Sequence, residues 1–190
     1  MLGNDIVDLN LAKIQSNWRR KNYLSKIFTE DEQQLILSAE NPDLMVWVLW
    51  SMKESAYKIY NRKMHERCFN PLAFQCSILL LNNKIANGLV KNHALKILTA
   101  SEIKTDFIHT IATDDILFPK KLRVWGNEYR LNYQDAFNKE IAGYQIYKNK
   151  SNIPEVKKIP GKIRHDVSVS HHGGHLRVIF DAEHTNTEQH

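Results

Sequence analysis

The sequence predicts an α+β fold, and three observations carry that reading. Its first third shows helix caps and apolar residues at helical spacing. From Pro71 to Asp114 this gives way to runs of Ile, Leu, Val and Thr broken by Asn-containing turns. The chain then closes on a hairpin about Gly173-Gly174. Of 190 residues, 43% are hydrophobic and 25% charged, which excludes a mostly disordered chain. The longest uncharged stretch, Cys68 to Asn83, is interrupted by Asn70, Pro71 and Gln75, and falls short of the roughly 18 apolar residues of a membrane span. The N-terminus places Asp5 and Asp8 where a signal peptide carries bases, and no apolar segment follows. Cys68 and Cys76 are too few for a disulfide framework or a zinc site, so a reducing cytoplasm is the expected compartment. Lys and Arg outnumber Asp and Glu by 26 to 21. That balance favours an acidic partner, whether nucleic acid, polyphosphate cofactor or acidic protein.

Taken in order, Leu2 to Val7 reads as a short strand, with Asp8 capping a helix through about Lys21. Thr29 and Glu32 form a capping box for a second helix to about Ala39. Asn41 and Pro42 open a third, longer helix over Asp43 to Lys63. Three or four antiparallel strands are expected between Pro71 and Asp114, with turns at Asn82-Asn83 and Asn87-Gly88. Pro119 to Asn127 reads as a connection, and Arg130 to Tyr147 as a fourth helix with Leu131, Phe137, Ile141 and Tyr144 near one face. A linker from Lys148 to Gly161 leads to the last hairpin, Ile163 to Ser170 and Leu176 to Phe180. The polar tail after Asp181 is expected to fray.

The third helix is the most informative element. Met45, Val48, Leu49, Met52, Ala56 and Ile59 form a core face, while Trp47, Trp50, Glu54 and Lys58 lie opposite, which suggests a cleft on the helix's second side. A surface Glu-Lys pair worth about 0.3–0.5 kcal/mol, flanked by packing aromatics, explains the same residues. Asp5 sits inside an apolar strand, where a carboxylate needs a cation or donors to compensate its burial. With Glu54 it would supply two hard oxygen ligands suited to Mg²⁺ shared with substrate phosphates and water. Asp8 is explained more simply as a cap. Among Ser168 to His175, adjacent His171 and His172 point to opposite sides of a strand, which disfavours zinc. A Ser-His pair beside two glycines can instead bring hydroxyl, imidazole and N–H groups to a phosphate.

Three segments together resemble the 4′-phosphopantetheinyl transferase superfamily. They are Gly3-Asn4-Asp5-Ile6-Val7-Asp8, Trp50-Ser51-Met52-Lys53-Glu54-Ser55-Ala56-Tyr57-Lys58, and Ser168-Val169-Ser170-His171-His172-Gly173. They match the patterns G-x-D-[IV]-x-[DE], W-[SA]-x-K-E-[SA]-x-x-K and S-[IVL]-S-H-[SH]-G, and Phe28-Thr29 with Glu32 matches F-[TS]-x-x-E. The resemblance implies an antiparallel sheet packed on a long central helix. It also implies transfer of the phosphopantetheine arm of coenzyme A to a serine of an apo acyl or peptidyl carrier protein, as in fatty acid biosynthesis. By the same resemblance Asp5 and Glu54 would hold Mg²⁺ and Lys58 would neutralise the leaving phosphate. Lys53, Lys58, Ser170 and His171 would contact coenzyme A, and Glu54 or a metal-bound water would serve as base. Val7 stands where the surfactin-synthetase-activating type has a third carboxylate, so the strand follows the holo-acyl-carrier-protein-synthase type.

The motif order also departs from the two-domain type, because the Ser-His hairpin comes last. The expected organisation is a pseudo-twofold chain of two unequal halves, residues 1–115 with the metal ligands and 116–181 with the hairpin, followed by a tail over 182–190. A monomer whose His171 faces its own Asp5 and Glu54 is favoured over a trimer with an insertion at 116–160. Lys13, Arg19, Arg20, Lys21 and Lys26 would dock an acidic carrier. Two rival readings are an inactive scaffold, opposed by intact Asp5, Glu54 and Lys58, and a nucleic-acid-binding module suggested by Trp18-Arg19-Arg20-Lys21. The second is opposed by carboxylates that would repel phosphates without a metal.

Overall fold

The computed structural model describes residues 1–65, 68–93, 95–115, 121–128, 132–150, 152–161 and 163–182. Strand β1 (Leu2–Asp8) runs into helix α1 (Leu9–Gln15), capped by the Asp8 carboxylate, which accepts from the N–H groups of Asn10 and Leu11 at 3.0 and 2.9 Å. The helix stops six residues short of the expected Lys21. The chain leaves it so that Trp18 can bury its ring and donate its indole N–H to Asp43 at 2.7 Å, and a short helix α2 (Tyr23–Ile27) follows. Helix α3 (Glu30–Ser38) has the expected capping box of Thr29 and Glu32. Helix α4 (Pro42–Met64) begins where the Asn41 side chain accepts from Leu44 N–H.

After a 3₁₀ turn at Pro71–Ala73 come β2 (Gln75–Leu81), β3 (Ile85–Lys91), β4 (Lys96–Ile103) and β5 (Phe107–Thr113). With β1 they form one antiparallel sheet in the order β1-β5-β4-β3-β2. The turn expected at Asn82-Asn83 is present, its Asn82 side chain accepting from Lys84 and Ile85 N–H. The turn expected at Asn87-Gly88 is not, because both residues lie inside β3. A Cβ at Gly88 would come within 2.4 Å of the Met52 side chain, so the glycine serves close packing of the sheet on α4. The core between them holds Val46, Val48, Leu49, Met52, Ala56, Ile59, Val90, Ile97 and Ile108.

The rest of the chain departs further from expectation. Residues expected to connect form β6 (Leu122–Glu128). The expected fourth helix is α5 (Tyr133–Glu140) and then strand β7 (Tyr144–Lys148), with Gly143 at φ +80° breaking the helix; Arg130 and Leu131 lie outside the described residues. The expected linker contains β8 (Pro154–Lys158), and β9 (Arg164–His165), β10 (Val167–His172) and β11 (His175–Asp181) complete the chain. The strands make two antiparallel sheets, β10-β11-β6 and β7-β8-β9. β6 pairs with β11 far along the chain, so its own stretch does not announce it, whereas β7, β8 and β9 pair with close sequence neighbours and β10 with β11 in a tight hairpin. A second core, with Trp125, Phe137, Tyr144, Ile146, Val156, Leu176, Val178 and Phe180, fills the space between these sheets and α5. The tail expected after Asp181 lies, beyond Ala182, outside the described residues. Among the described residues no helix is long and apolar enough to cross a membrane.

Candidate active site at the edge of the first sheet

The site begins with a close approach. A Cβ at Gly3 would sit 2.0 Å from the Ser55 carbonyl oxygen, so only glycine lets β1 lie this near α4. The next inward residue of interest, Asp5, is 9% exposed. Its Oδ1 accepts from Ser170 Oγ at 3.1 Å and lies 3.9 Å from Lys58 Nζ, while Oδ2 is buried without a hydrogen-bond partner. Burial raises the Asp5 carboxyl above its ordinary range, opposed by the Lys58 charge and the Ser170 hydrogen bond. Glu54, one turn before Lys58, is pushed up to about 7, first by burial and then by the charge of Asp5, against the pull of Lys58.

Two neighbouring carboxyls that resist ionising, one with an orphaned oxygen, form a set that a hard divalent cation would satisfy. Among the described residues no group of three or more His, Cys, Asp or Glu side chains is placed to hold a metal. Asp5 and Glu54 together offer such a cation two protein carboxylates.

β1 is the edge of its sheet, and side chains satisfy its outer edge. The N–H groups of Asn4, Ile6 and Asp8 donate to Ser168 Oγ, Ser170 Oγ and His172 Nδ1 at 3.0, 3.1 and 2.9 Å. Alternate residues of β10 thus grip alternate residues of β1, replacing a strand ladder with a comb. On the same edge Lys58 Nζ donates to the carbonyls of Asn4 and, across the junction, Val169 at 2.5 and 3.3 Å. Beneath it Asn4, fully buried, donates its amide to Arg177 O at 3.2 Å and to His109 Nε2 at 3.3 Å. Burial, then the charges of Arg177 and Lys58, lower His109 to about 3, so its ring is a neutral acceptor.

Of the residues singled out in the sequence, the structure brings together Asp5, Glu54, Lys58 and Ser170. His171 lies on the opposite face of β10 from His172, exposed, where burial and the neighbouring charges of Lys58 and His172 lower its imidazole below the ordinary value. Two residues expected to contact coenzyme A are engaged inside the fold. Lys53 is fully buried and makes an ion pair with Glu32 at 2.8 Å and hydrogen bonds to the carbonyls of Pro71 and Phe74 at 3.0 and 2.5 Å. All three of its ammonium N–H donors thus have partners inside the fold. Ser170 is 5% exposed, and its hydroxyl is spent on Ile6 N–H and Asp5. Asp8 gives one oxygen to the α1 cap and the other to Gly174 N–H at 3.4 Å. Arg19, expected to face a partner, forks onto Asp43 at 2.7 and 3.0 Å.

Sequence reasoning gave Ser168, His172 and Asn4 no part in holding β1, and read Glu32 as a cap without its ion pair to Lys53. The period-two spacing of Ser168, Ser170 and His172, all hydrogen-bonding types on one strand face, is the signal that could have found the comb. A cleft of about 910 Å³, lined by Lys13, Asp43, Trp47, Lys84, Glu102 and Lys104 among others, opens beside the start of α4 and includes none of Asp5, Glu54 and Lys58.

Comparison with known proteins bears on this geometry. A family model described as ACPS, 4′-phosphopantetheinyl transferase superfamily, matches residues 1–112, the segment that carries β1, α4 and all but the last residue of the first sheet. No curated protein and no solved structure matches.

Proposed function

The chain belongs to the 4′-phosphopantetheinyl transferase superfamily, and from that premise we propose that it moves the 4′-phosphopantetheine arm of coenzyme A onto a serine of an apo acyl or peptidyl carrier protein. In that reaction the serine hydroxyl gives its proton to a base, Glu54 or a water molecule, its oxygen bonds to the phosphorus on the pantetheine side, the pyrophosphate P–O bond breaks, and adenosine 3′,5′-bisphosphate leaves. The observation that carries the reading is the buried Asp5 carboxylate with an orphaned oxygen, beside Glu54 and Lys58.

Superfamily members use coenzyme A and a divalent metal. Here Mg²⁺, held by Asp5 and Glu54, would neutralise pyrophosphate oxygens as charge develops on the leaving side. Lys58, still 27% exposed at its side chain, faces the same place and would add a fixed positive charge. His171, exposed beside it, would contact a coenzyme A phosphate. The grip of β10 on β1 of the same chain supports a site built without a second subunit. Acidic carrier proteins fit the excess of bases, with Lys13, Arg20, Lys21 and Lys26 as the docking set now that Arg19 is committed to Asp43.

The test is mass spectrometry of an apo carrier protein incubated with this protein, coenzyme A and Mg²⁺. A mass gain of one phosphopantetheine arm, with release of adenosine 3′,5′-bisphosphate, is expected. No gain with any apo acyl or peptidyl carrier protein would defeat the reading.

A further inference from the structure

We propose that Ser170 is a positioning residue for the metal-binding carboxylate Asp5, rather than a substrate contact. The proposal rests on the reading of Asp5 and Glu54 as cation ligands. Asp5 has two oxygens with different surroundings. Oδ1 receives the Ser170 hydroxyl proton at 3.1 Å, whereas Oδ2 is buried without a hydrogen-bond partner, the Ser51 hydroxyl being the other side-chain donor near this carboxyl. The Ser170 hydroxyl is itself fixed, because its oxygen accepts from Ile6 N–H at 3.1 Å on the same strand as Asp5. A donor anchored to the backbone one residue away thus holds the carboxylate by one oxygen and leaves the other without a hydrogen bond. Lys58, at 3.9 Å from Oδ1, supports the same orientation without a direct hydrogen bond.

Ser168 separates this role from simple structural gripping. It occupies the equivalent position two residues earlier, is fully buried, and accepts from Asn4 N–H at 3.0 Å. It makes the comb contact that Ser170 makes, with no carboxylate at its other end. Removing either hydroxyl loses one backbone partner; removing that of Ser170 also frees a ligand. Partners that orient a metal ligand typically change affinity about 10- to 100-fold when deleted.

The experiment measures Mn²⁺ affinity by electron paramagnetic resonance, with saturating coenzyme A, for the intact chain and four variants. The expected order is wild-type affinity for Ser168→Ala, a loss of about tenfold or more for Ser170→Ala, and a near-complete loss for Asp5→Asn. Turnover of Ser170→Ala should recover at saturating metal. Should Ser170→Ala fail to fold, Ser170→Cys keeps the volume with a weaker donor and should show a smaller loss in the same direction. Wild-type affinity in a folded Ser170 variant, with Asp5→Asn impaired, would overturn the positioning role and leave the site reading standing. An equal loss in Ser168→Ala would trace the effect to the comb and overturn it too. Undiminished binding by Asp5→Asn would remove the site reading itself, and this inference with it.

Discussion

Glu54 is where burial and chemistry meet most directly. A carboxyl whose value climbs from the ordinary 4.5 to about 7 is protonated in the folded chain over a range where the unfolded chain has already released the proton. Between about pH 4.5 and 7 the folded state therefore binds more protons than the unfolded one. Stability of the metal-free protein should fall as pH rises through that window. Cation binding needs the ionised group, so affinity should climb with pH and level off above about 7. Glu54→Gln removes the Glu54 share of both dependences, leaving that of Asp5. Its metal-free melting temperature should lose this component of the pH slope and be no lower than wild type at pH 8, while turnover drops roughly 10²-fold or more. Denaturation scans across pH and a Mg²⁺ titration of activity check the two halves. Wild-type turnover at saturating Mg²⁺ would remove Glu54 from the reaction.

Among the elements, the junction of α3, α4 and the turn before β2 is held by a buried charge pair. Glu32 serves three donors: Thr29 N–H in the capping box at 2.8 Å, Cys76 N–H at 2.7 Å, and Lys53 at 2.8 Å. Lys53 in return reaches two carbonyls around the 3₁₀ turn. Lys53→Met leaves that carboxylate buried without its cation and should cost about 3–5 kcal/mol. In the protein that still folds, the KM for coenzyme A should stay near wild type; thermal melts and steady-state kinetics test the pair. Full stability with a raised KM would return Lys53 to the substrate. The sequence position of Lys53 contained this outcome. It lies four residues after Leu49 and three before Ala56, on the apolar face, while Glu54 is turned about 100° away. Elements with local chemistry at their ends were legible: the Asp8 cap, the Thr29 box and the Asn41-Pro42 start of α4 each act within a few residues. Strand β6 was not, because its backbone groups find partners on β11 far along the chain, and β7 and β8 were hidden because the helical reading runs through Gly143 and the stretch after it reads as a linker. Asn87-Gly88 carried a turn signal that packing against Met52 overrode. At the site, Asp5, Glu54 and Lys58 could be read from a buried acid and helical spacing. The role of Ser170 needed the register of β10 on β1, which no local pattern supplies.

At the scale of the whole molecule, the question is how many chains complete one site. The free edge of β1 would be an invitation to another subunit, since open strand edges seek partners. In this chain β10 occupies it, with three side-chain acceptors on three N–H groups, and Lys58 bridges from Asn4 O to Val169 O across the same junction. Our reading is therefore that residues 1–115 and the hairpin-bearing remainder act as unequal halves of one monomeric catalyst. His171 then serves the carboxylates of its own chain. A trimer sharing sites between subunits makes the opposite demand, that His171 of one copy serve Glu54 of the next. Mixing Glu54→Gln with His171→Ala after co-refolding distinguishes them. If each site is built within one chain, every site in the mixture carries one defect, and activity stays at the average of the two variants. If sites are shared, a fraction of junctions combines an intact Glu54 with an intact His171, and activity rises well above either parent. Sedimentation of the mixture shows whether copies associate at all. Association without rescue leaves the one-chain site intact, and rescue defeats it.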